Sequence, residues 1–157
     1  MSGEKQGCVF MILVERILRQ LRQRGERITI QRRMVIEALC EGGEHLTINT
    51  IQKDMQDQGH NLDEATIYRI LQWLKTAEVI SQTDLGATGT VYDLLGPTRH
   101  HHLVCLNCNA MIGLDDSFVD QLRENVRQKY DFEPRVDHLA IFGWCARCRA
   151  LKVASAN

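Results

Sequence analysis

The sequence of 157 residues predicts an α+β protein built in two parts. The first part contains four segments with apolar residues at helical spacing, followed by two short strand-like runs. The second contains short strands, one further helical segment and two C-x-x-C pairs. Because the step Gly96-Pro97 interrupts any regular element, we predict domains at residues 1–95 and 99–157, joined by a hinge at 96–98.

The four helical segments of the first part have recognisable boundaries. Residues 11–24 place leucine and isoleucine at helical spacing, and Gly25 ends this helix. Three later helices begin after residues that favour the position before a helix, namely Thr29, Thr47 and Asp63. The fourth helix has the clearest apolar stripe, formed by Ile67, Ile70, Leu71 and Leu74.

The third and fourth helices, joined by a short turn at residues 59–62, predict a helix-turn-helix. Strand-like runs at 79–83 and 90–95 follow and predict a β-hairpin, so that the whole first part predicts a winged helix. In such a fold the exposed face of the fourth helix enters the major groove of DNA. Here that face carries Tyr68 and Arg69.

Positive charge is concentrated near the start of the chain. Residues 16–33 contain seven arginines and one acid, although the whole chain has a net charge of −1. Such a segment is typical of a phosphate-binding surface, and the alternative is a solvated helix face. Taken singly, Tyr68 is better explained as a half-buried core aromatic and Arg69 as a solvated charge. Together with the wing, the basic segment favours double-stranded DNA as the partner.

The second part contains two cysteine pairs in C-x-x-C spacing, Cys105 with Cys108 and Cys145 with Cys148. Thiolates in two such pairs form a tetrahedral Cys₄ site of the kind that holds a structural zinc. The alternative is four buried or disulfide-bonded cysteines. The six cysteines of the chain do not resemble the disulfide framework of a secreted protein. We therefore predict one structural zinc per chain and a cytoplasmic location.

The apolar run at residues 8–14 is followed at once by Glu15. It is too short to span a membrane and has no small-residue cleavage site, so we predict no membrane association.

Three consecutive histidines precede the first cysteine pair. On a strand, alternate side chains share a face, so His100 and His102 point one way and His101 the other. Two imidazoles on one face supply half of a tetrahedral metal site. A zinc hydrolase could use His100, His102 and Asp93, but no carboxylate motif supplies a general base, and we predict that the protein is not an enzyme.

The rest of the second part predicts a small α/β unit. Its helix carries Phe118, Leu122 and Val126 on one side. Its last strand is apolar on both faces, which indicates that sheet or subunit contacts cover it. The predicted elements are strands near 101–105 and 110–114, a helix at 117–130 and a strand at 135–142.

Four sequence elements resemble the ferric uptake regulator (Fur) superfamily over roughly residues 12–148. They are A-T-I-Y-R at 65–69, V-Y-D-L at 91–94, H-H-H-L-V-C-L-N-C at 100–108 and G-W-C-A-R-C at 143–148. The resemblance implies a homodimeric, metal-responsive transcription factor. It would have an N-terminal DNA-binding domain, a C-terminal dimerisation domain, a structural zinc and a sensory metal between the domains. Its operator would be AT-rich and palindromic.

The resemblance also implies roles for individual residues. The structural zinc falls on Cys105, Cys108, Cys145 and Cys148. The sensory ligands fall on His45, Asp93, His100 and His102. The DNA contacts fall on Arg32, Tyr68 and Arg69.

Some members have a third metal site that begins with a histidine at the position of Arg99. Its other ligands fall on His101, Asp120 and either Asp137 or His138. The replacement of that histidine by Arg99 is the first departure from the family pattern.

The second departure lies at Gly113, where the iron and peroxide sensors of the family have an additional carboxylate ligand. Its loss leaves four sensory ligands, three of them imidazoles. Such a set favours Zn²⁺, whereas Fe²⁺ and Mn²⁺ commonly take more oxygen ligands. We therefore predict the zinc-sensing branch, the zinc uptake regulators. The alternatives are an iron-responsive or peroxide-sensing regulator of the same superfamily, or a constitutive zinc-stapled nucleic-acid-binding module.

Overall fold

The computed structural model of the protein describes residues 3–96 and 101–154, with side chains described over 10–96 and 101–151. The chain forms two compact units. The first unit contains the residues up to Gln82 together with Val91–Leu95, and the second contains Thr83–Thr90 and the residues from Gly96 onward. Helices and small sheets occur in both halves of the sequence, so the predicted α+β class is confirmed.

The first unit is mainly helical. Its helices are α1 (Gly3–Gln23), α2 (Ile30–Gly42), α3 (Ile48–Asp57) and α4 (Glu64–Thr76). The predicted caps are confirmed, since Thr29, Thr47 and Asp63 each accept a hydrogen bond from the backbone N–H three residues further on. The turn between α3 and α4 begins at Gly59, whose φ of +81° lies in the left-handed region that glycine adopts without strain.

The core of the first unit is built from the inward faces of all four helices. Leu18, Ile36, Ile51 and Leu71 are among its fully buried members. Burial of such a side chain contributes about 1.5–3 kcal/mol, so this core fixes the orientation of α4 on the surface. The helical spacing in residues 11–24 also includes Ile12, which is exposed, whereas Ile17, Leu18 and Leu21 are buried as the spacing predicts.

A β-hairpin follows α4. Strands β1 (Ile80–Asp84) and β2 (Thr90–Leu94) pair with each other, and a short 3₁₀ turn at Gly86–Thr88 joins them. The loop before α3 is fastened to this hairpin through Leu46, which exchanges two backbone hydrogen bonds with Tyr92, of 3.3 and 2.8 Å. The predicted helix-turn-helix and wing are therefore both present.

The second unit contains a three-stranded sheet in the order β4-β3-β5. Strand β3 pairs antiparallel with β4 and parallel with β5. The elements are β3 (His101–Cys105), β4 (Met111–Leu114), α5 (Asp116–Tyr130), β5 (Ala140–Gly143) and α6 (Ala146–Ala154). Among the described residues, no helix is both long and apolar enough to cross a membrane.

One prediction for the second unit was wrong in detail. The last strand does not begin at residue 135, because β5 starts only at Ala140. The predicted apolar side of α5 is exposed at Phe118 and Leu122, while Val119 and Arg123 are buried. The Arg123 side of the helix faces inward because this side chain binds Asp116, Asp120 and the carbonyl oxygen of Val136. Helix α6 was not predicted.

Candidate metal centres and nucleic-acid interface

The four cysteines of the C-x-x-C pairs form one cluster in the second unit. Cys105 ends β3 and Cys108 follows in the turn, whereas Cys145 and Cys148 lie at the start of α6. All four Sγ atoms lie within 4.8 Å of one another. All of the described cysteines are free thiols, so the disulfide alternative does not apply to them. The cluster is therefore able to hold a metal ion.

The surroundings of this cluster stabilise the thiolates of Cys105 and Cys108, whereas at Cys148 the hydrogen bond from Asn107 is outweighed by desolvation and the neighbouring thiols, which raise its pKa to about 11. The backbone N–H of Cys145 donates to Cys105 Sγ at 3.4 Å, and Asn107 Nδ2 donates to Cys148 Sγ at 3.3 Å. The N–H groups of Cys145, Cys108 and Asn107 lower the pKa of Cys105 to about 6. The backbone N–H of Ala110 is the main cause of the lowered pKa of Cys108. Because the thiolate is the metal-binding form, this donor set fits Zn²⁺.

Two of the predicted sensory ligands lie side by side in the first unit. The pairing of Leu46 with Tyr92 places His45 next to Asp93, and the backbone N–H of His45 donates to Asp93 Oδ1. His45 has a φ of +58°, which is uncommon for a residue other than glycine. Asp93 is only 2% exposed. A buried carboxylate needs stabilising partners, and a metal cation is one that serves this purpose.

The other predicted sensory ligands belong to the second unit, where His102 lies on β3 and His100 falls outside the described residues. His102 is nearly buried, and its ring is in edge-to-face contact with that of His138, with 4.9 Å between the ring centroids. His101 projects from the opposite face of the strand, as alternation predicts. Each unit, taken by itself, thus presents candidate metal ligands.

The described residues of the third metal site are held by other protein groups. His101 Nε2 lies 2.8 Å from Asp116 Oδ1, and His101 Nδ1 accepts a hydrogen bond from the backbone N–H of Leu139. The buried Arg123 binds Asp120 at 2.6 Å and Asp116 at 2.9 Å. A guanidinium therefore neutralises the carboxylates that a cation would need.

Asp137, one of the two residues considered for the last ligand of that site, is also engaged. Its Oδ2 accepts a hydrogen bond of 2.6 Å from Arg135 Nε. His138, the other, contacts the ring of His102. The described residues thus do not fit a third metal ion.

Gly113 lies directly opposite His102 in the antiparallel pairing of β3 with β4. An ideal Cβ atom added to Gly113 would meet no atom within 4 Å. A side chain therefore fits at this position, but this chain offers no oxygen donor there.

The outer face of α4 carries two of the predicted DNA contacts. Arg69 is exposed and Tyr68 is 47% exposed, and neither belongs to the hydrophobic core of the described residues. Arg32, the third predicted contact, lies in the first turn of α2 and stacks on Trp73, with its guanidinium carbon 3.7 Å from the ring centroid. Arg32 also donates to the carbonyl oxygen of Arg27 at 2.6 Å. These contacts fix the Arg32 side chain before any ligand arrives.

Arg32 and Arg69 line the same open cavity of about 390 Å³, together with Arg27 and Thr29. Three guanidinium groups around one cavity form a positive surface suited to a phosphate group.

Arg27 was not predicted as a contact, although its place in the basic segment was a signal. His138 was predicted only for the third site, since nothing in the sequence indicates its contact with His102.

A winged helix combined with a small Cys₄-containing unit is the architecture of a metal-binding transcriptional regulator. Residues 23–142 match the sequence model of the Ferric uptake regulator family, and the chain belongs to this family. It is therefore a metal-responsive transcriptional regulator of the Fur type.

Known relatives cover most of the chain. The ferric uptake regulation protein of Campylobacter jejuni is 26% identical over 143 residues, which are 90% of this chain and 91% of that protein. The protein of the same name from Bacillus subtilis is 28% identical over 139 residues, or 86% and 93% of the two chains. The structure of the Helicobacter pylori ferric uptake regulator Fur, described as having three functional metal binding sites, matches with a TM-score of 0.66 at 25% identity and covers 89% and 93%.

Proposed function

We propose that the protein is a zinc-responsive repressor that binds a palindromic, AT-rich operator as a homodimer when zinc occupies a sensory site. In this proposal residues 1–95 bind DNA, 96–98 form a hinge and 99–157 dimerise. The Cys₄ cluster of the second unit holds a structural zinc. The sensory metal takes His45 and Asp93 from one domain and His100 and His102 from the other.

The observation that carries the proposal is the placement of His45 against the buried Asp93 within the DNA-binding unit. A constitutive zinc-stapled module needs a metal only in its Cys₄ cluster. A metal that also binds ligands of the winged helix restrains the position of α4. Occupancy of that site then changes the affinity for DNA, which is the property of a sensor.

Zinc is favoured as the sensed metal by the composition of the site. The four proposed sensory ligands comprise three imidazoles and one carboxylate, and Gly113 supplies no second oxygen beside His102. Zinc accepts such a nitrogen-rich, four-coordinate set, whereas Mn²⁺ prefers sites with more oxygen ligands. The second candidate is ferrous iron, which is favoured by the names of the matched relatives as ferric uptake regulation proteins.

A carboxylate at position 113 should change this metal preference. Gly113→Glu places oxygen donors next to His102, where a side chain has room. We expect the affinity for Mn²⁺ or Fe²⁺ to rise at least tenfold relative to that for Zn²⁺, or about 1.4 kcal/mol. Gly113→Ala is the matched control, because it adds the Cβ atom without the oxygen donors. Competition with a fluorescent chelator, with the Cys₄ cluster already filled by zinc, measures each affinity. If Gly113→Glu and Gly113→Ala have the same affinity for Mn²⁺ or Fe²⁺ relative to Zn²⁺, position 113 does not determine the metal preference.

DNA contact is proposed for the outer face of α4 and for the cavity beside it. Arg69→Ala should lower operator affinity by ~1–3 kcal/mol if Arg69 reads a base edge. Arg27→Ala should instead weaken binding to all sequences equally and reduce the salt dependence, because a phosphate contact carries no sequence information. Lys129→Ala, which removes a positive charge from α5 in the second unit, is the matched control. The comparison uses fluorescence anisotropy on operator and random duplexes at several salt concentrations. An Arg69→Ala curve that matches the control on both duplexes contradicts the proposed contact.

The second unit exposes apolar side chains suited to a dimer interface. Phe118 and Leu122 on α5, and Ile141 and Phe142 on β5, are all at least 40% exposed. An apolar surface of this kind on a soluble domain is typical of a protein–protein interface. A second copy of the chain is the proposed occupant, as the family resemblance implies.

Selection from random duplex DNA tests the proposed function directly. The wild-type protein is incubated with the library in excess zinc, in buffered Fe²⁺ under anaerobic conditions, and with a chelator that leaves the Cys₄ metal in place. We expect a palindromic sequence to be enriched only with zinc. Equal enrichment with the chelator would support a constitutive module, and enrichment with iron alone would support the second candidate.

A further inference from the structure

The contact between His102 and His138 lies wholly within the second unit. The two rings meet edge to face, with an interplanar angle of 71°. A ring nitrogen of His102 and one of His138 lie within 4.8 Å of each other. Two nitrogens bound to one tetrahedral zinc are separated by roughly 3.3 Å, given Zn–N distances of about 2.0–2.1 Å. Small side-chain rotations therefore bring both rings onto one ion.

The fold determines which side of His102 carries this second imidazole. Strand β3 has β4 on one side and β5 on the other. On the β4 side His102 faces Gly113, which offers no donor. On the β5 side it pairs with Ala140, and its backbone N–H donates to the carbonyl of Leu139, the residue that follows His138. His102 therefore has no side-chain metal ligand opposite it on β4, at Gly113, but has the imidazole of His138 beside it towards β5.

The alternative metal site for His138 is not available. Asp116 and the backbone of Leu139 hold His101, and Arg123 holds Asp120. A metal would have to displace the buried guanidinium of Arg123 to use these groups. Among the described residues of the second unit, His102 is therefore the candidate metal ligand that lies beside His138.

We propose that His138 is a direct ligand of the sensory metal and replaces the donor that is lost at Gly113. The inference rests on the proposed function, because it adds a ligand to the sensory site. Its chemical consequence is that the ligand set gains a nitrogen atom from the β5 side of His102, in place of the oxygen that the iron and peroxide sensors of the family have at position 113. The sensory site then becomes richer in imidazole, and Zn²⁺ and Co²⁺ are the ions that it takes.

Cobalt binding tests this ligand without the use of DNA. Protein with one zinc in the Cys₄ cluster is titrated with Co²⁺, whose visible absorption reports binding and varies with the number of ligands, and then with competing Zn²⁺. We expect His138→Ala to lower the affinity of the second site by at least 10–100-fold, the range found when even an outer-shell partner of a metal ligand is removed. His60→Ala is the matched control, since His60 is an exposed imidazole of the first unit. The control should bind Co²⁺ as the wild type does.

A second variant separates direct coordination from a positioning role. His138→Cys keeps a zinc ligand at the same place, so we expect bound Co²⁺ to gain a thiolate-to-cobalt charge-transfer band that the wild-type second site lacks. No new band, or an affinity of His138→Ala equal to that of the control, overturns the proposal. If His102→Ala also leaves Co²⁺ binding unchanged, the sensory site itself is wrong. If only His102→Ala weakens binding, the proposed function stands and His138 is not a ligand.

Discussion

Cys145→Ser should release the structural zinc and unfold the second unit. Structural zinc in zinc-finger peptides contributes roughly 10–16 kcal/mol at neutral pH, and this binding energy is folding energy. A whole domain is stable by only about 5–15 kcal/mol, so the unit has no reserve to offset the loss. In the folded unit, backbone N–H groups stabilise the thiolate of Cys105, which is the form that binds a metal. We expect zinc content to fall and the protein to leave the dimer peak in gel filtration.

Cys40→Ser provides the matched control for this variant. Cys40 is a half-buried thiol in α2, and burial raises its pKa to about 12, so it remains a protonated thiol at neutral pH. The same chemical change there should leave zinc content and dimerisation unaltered. If Cys145→Ser retains one zinc per chain and elutes with the control, the cluster does not hold the structural metal.

The first unit was the more predictable half because its structure is determined locally. The caps at Thr29, Thr47 and Asp63 act over three residues, and the apolar stripe of α4 repeats within a single helix. Helix caps and apolar stripes involve residues only a few positions apart, so they can be recognised in the sequence. The exposed side chains of Tyr68 and Arg69 followed from the same periodicity.

The second unit was less predictable because its details depend on contacts distant in sequence. Periodicity placed Phe118 on the apolar side of α5, but it did not indicate that Arg123 turns inward to bind Asp116 and the carbonyl of Val136. That carbonyl and the Leu139 N–H are committed to side chains, so residues before Ala140 do not extend β5.

The metal ligands show the same division between local and distant determinants. The spacing of the four cysteines predicted their cluster, because two C-x-x-C pairs have few other uses. The sequence did not predict that Leu46 would pair with Tyr92 and align His45 with Asp93. It also did not predict that the parallel pairing of β3 with β5 would bring His138 to His102. Each of these contacts joins residues more than thirty positions apart.

His102→Ala should abolish metal-dependent DNA binding while it leaves the fold intact. In the proposed mechanism, two recognition helices of a dimer must lie about one turn of DNA apart, ~34–36 Å, to reach both half-sites. A metal that binds both domains favours that arrangement, and only its preference for the closed state shifts the equilibrium. A coupling of ~1–3 kcal/mol is typical, and DNA must tighten metal binding by the same factor. Asp93→Ala should behave in the same way, because both ligands serve one site.

Operator affinity measured against buffered free Zn²⁺, at one fixed salt concentration, tests the central claim most directly. The fixed salt matters because phosphate contacts make every affinity depend on ionic strength. We expect zinc to raise the operator affinity of the wild type by about 5–150-fold. We expect no gain for His102→Ala, although this variant remains dimeric and keeps its Cys₄ zinc. If His102→Ala gains affinity with zinc as the wild type does, His102 is not part of a sensory site.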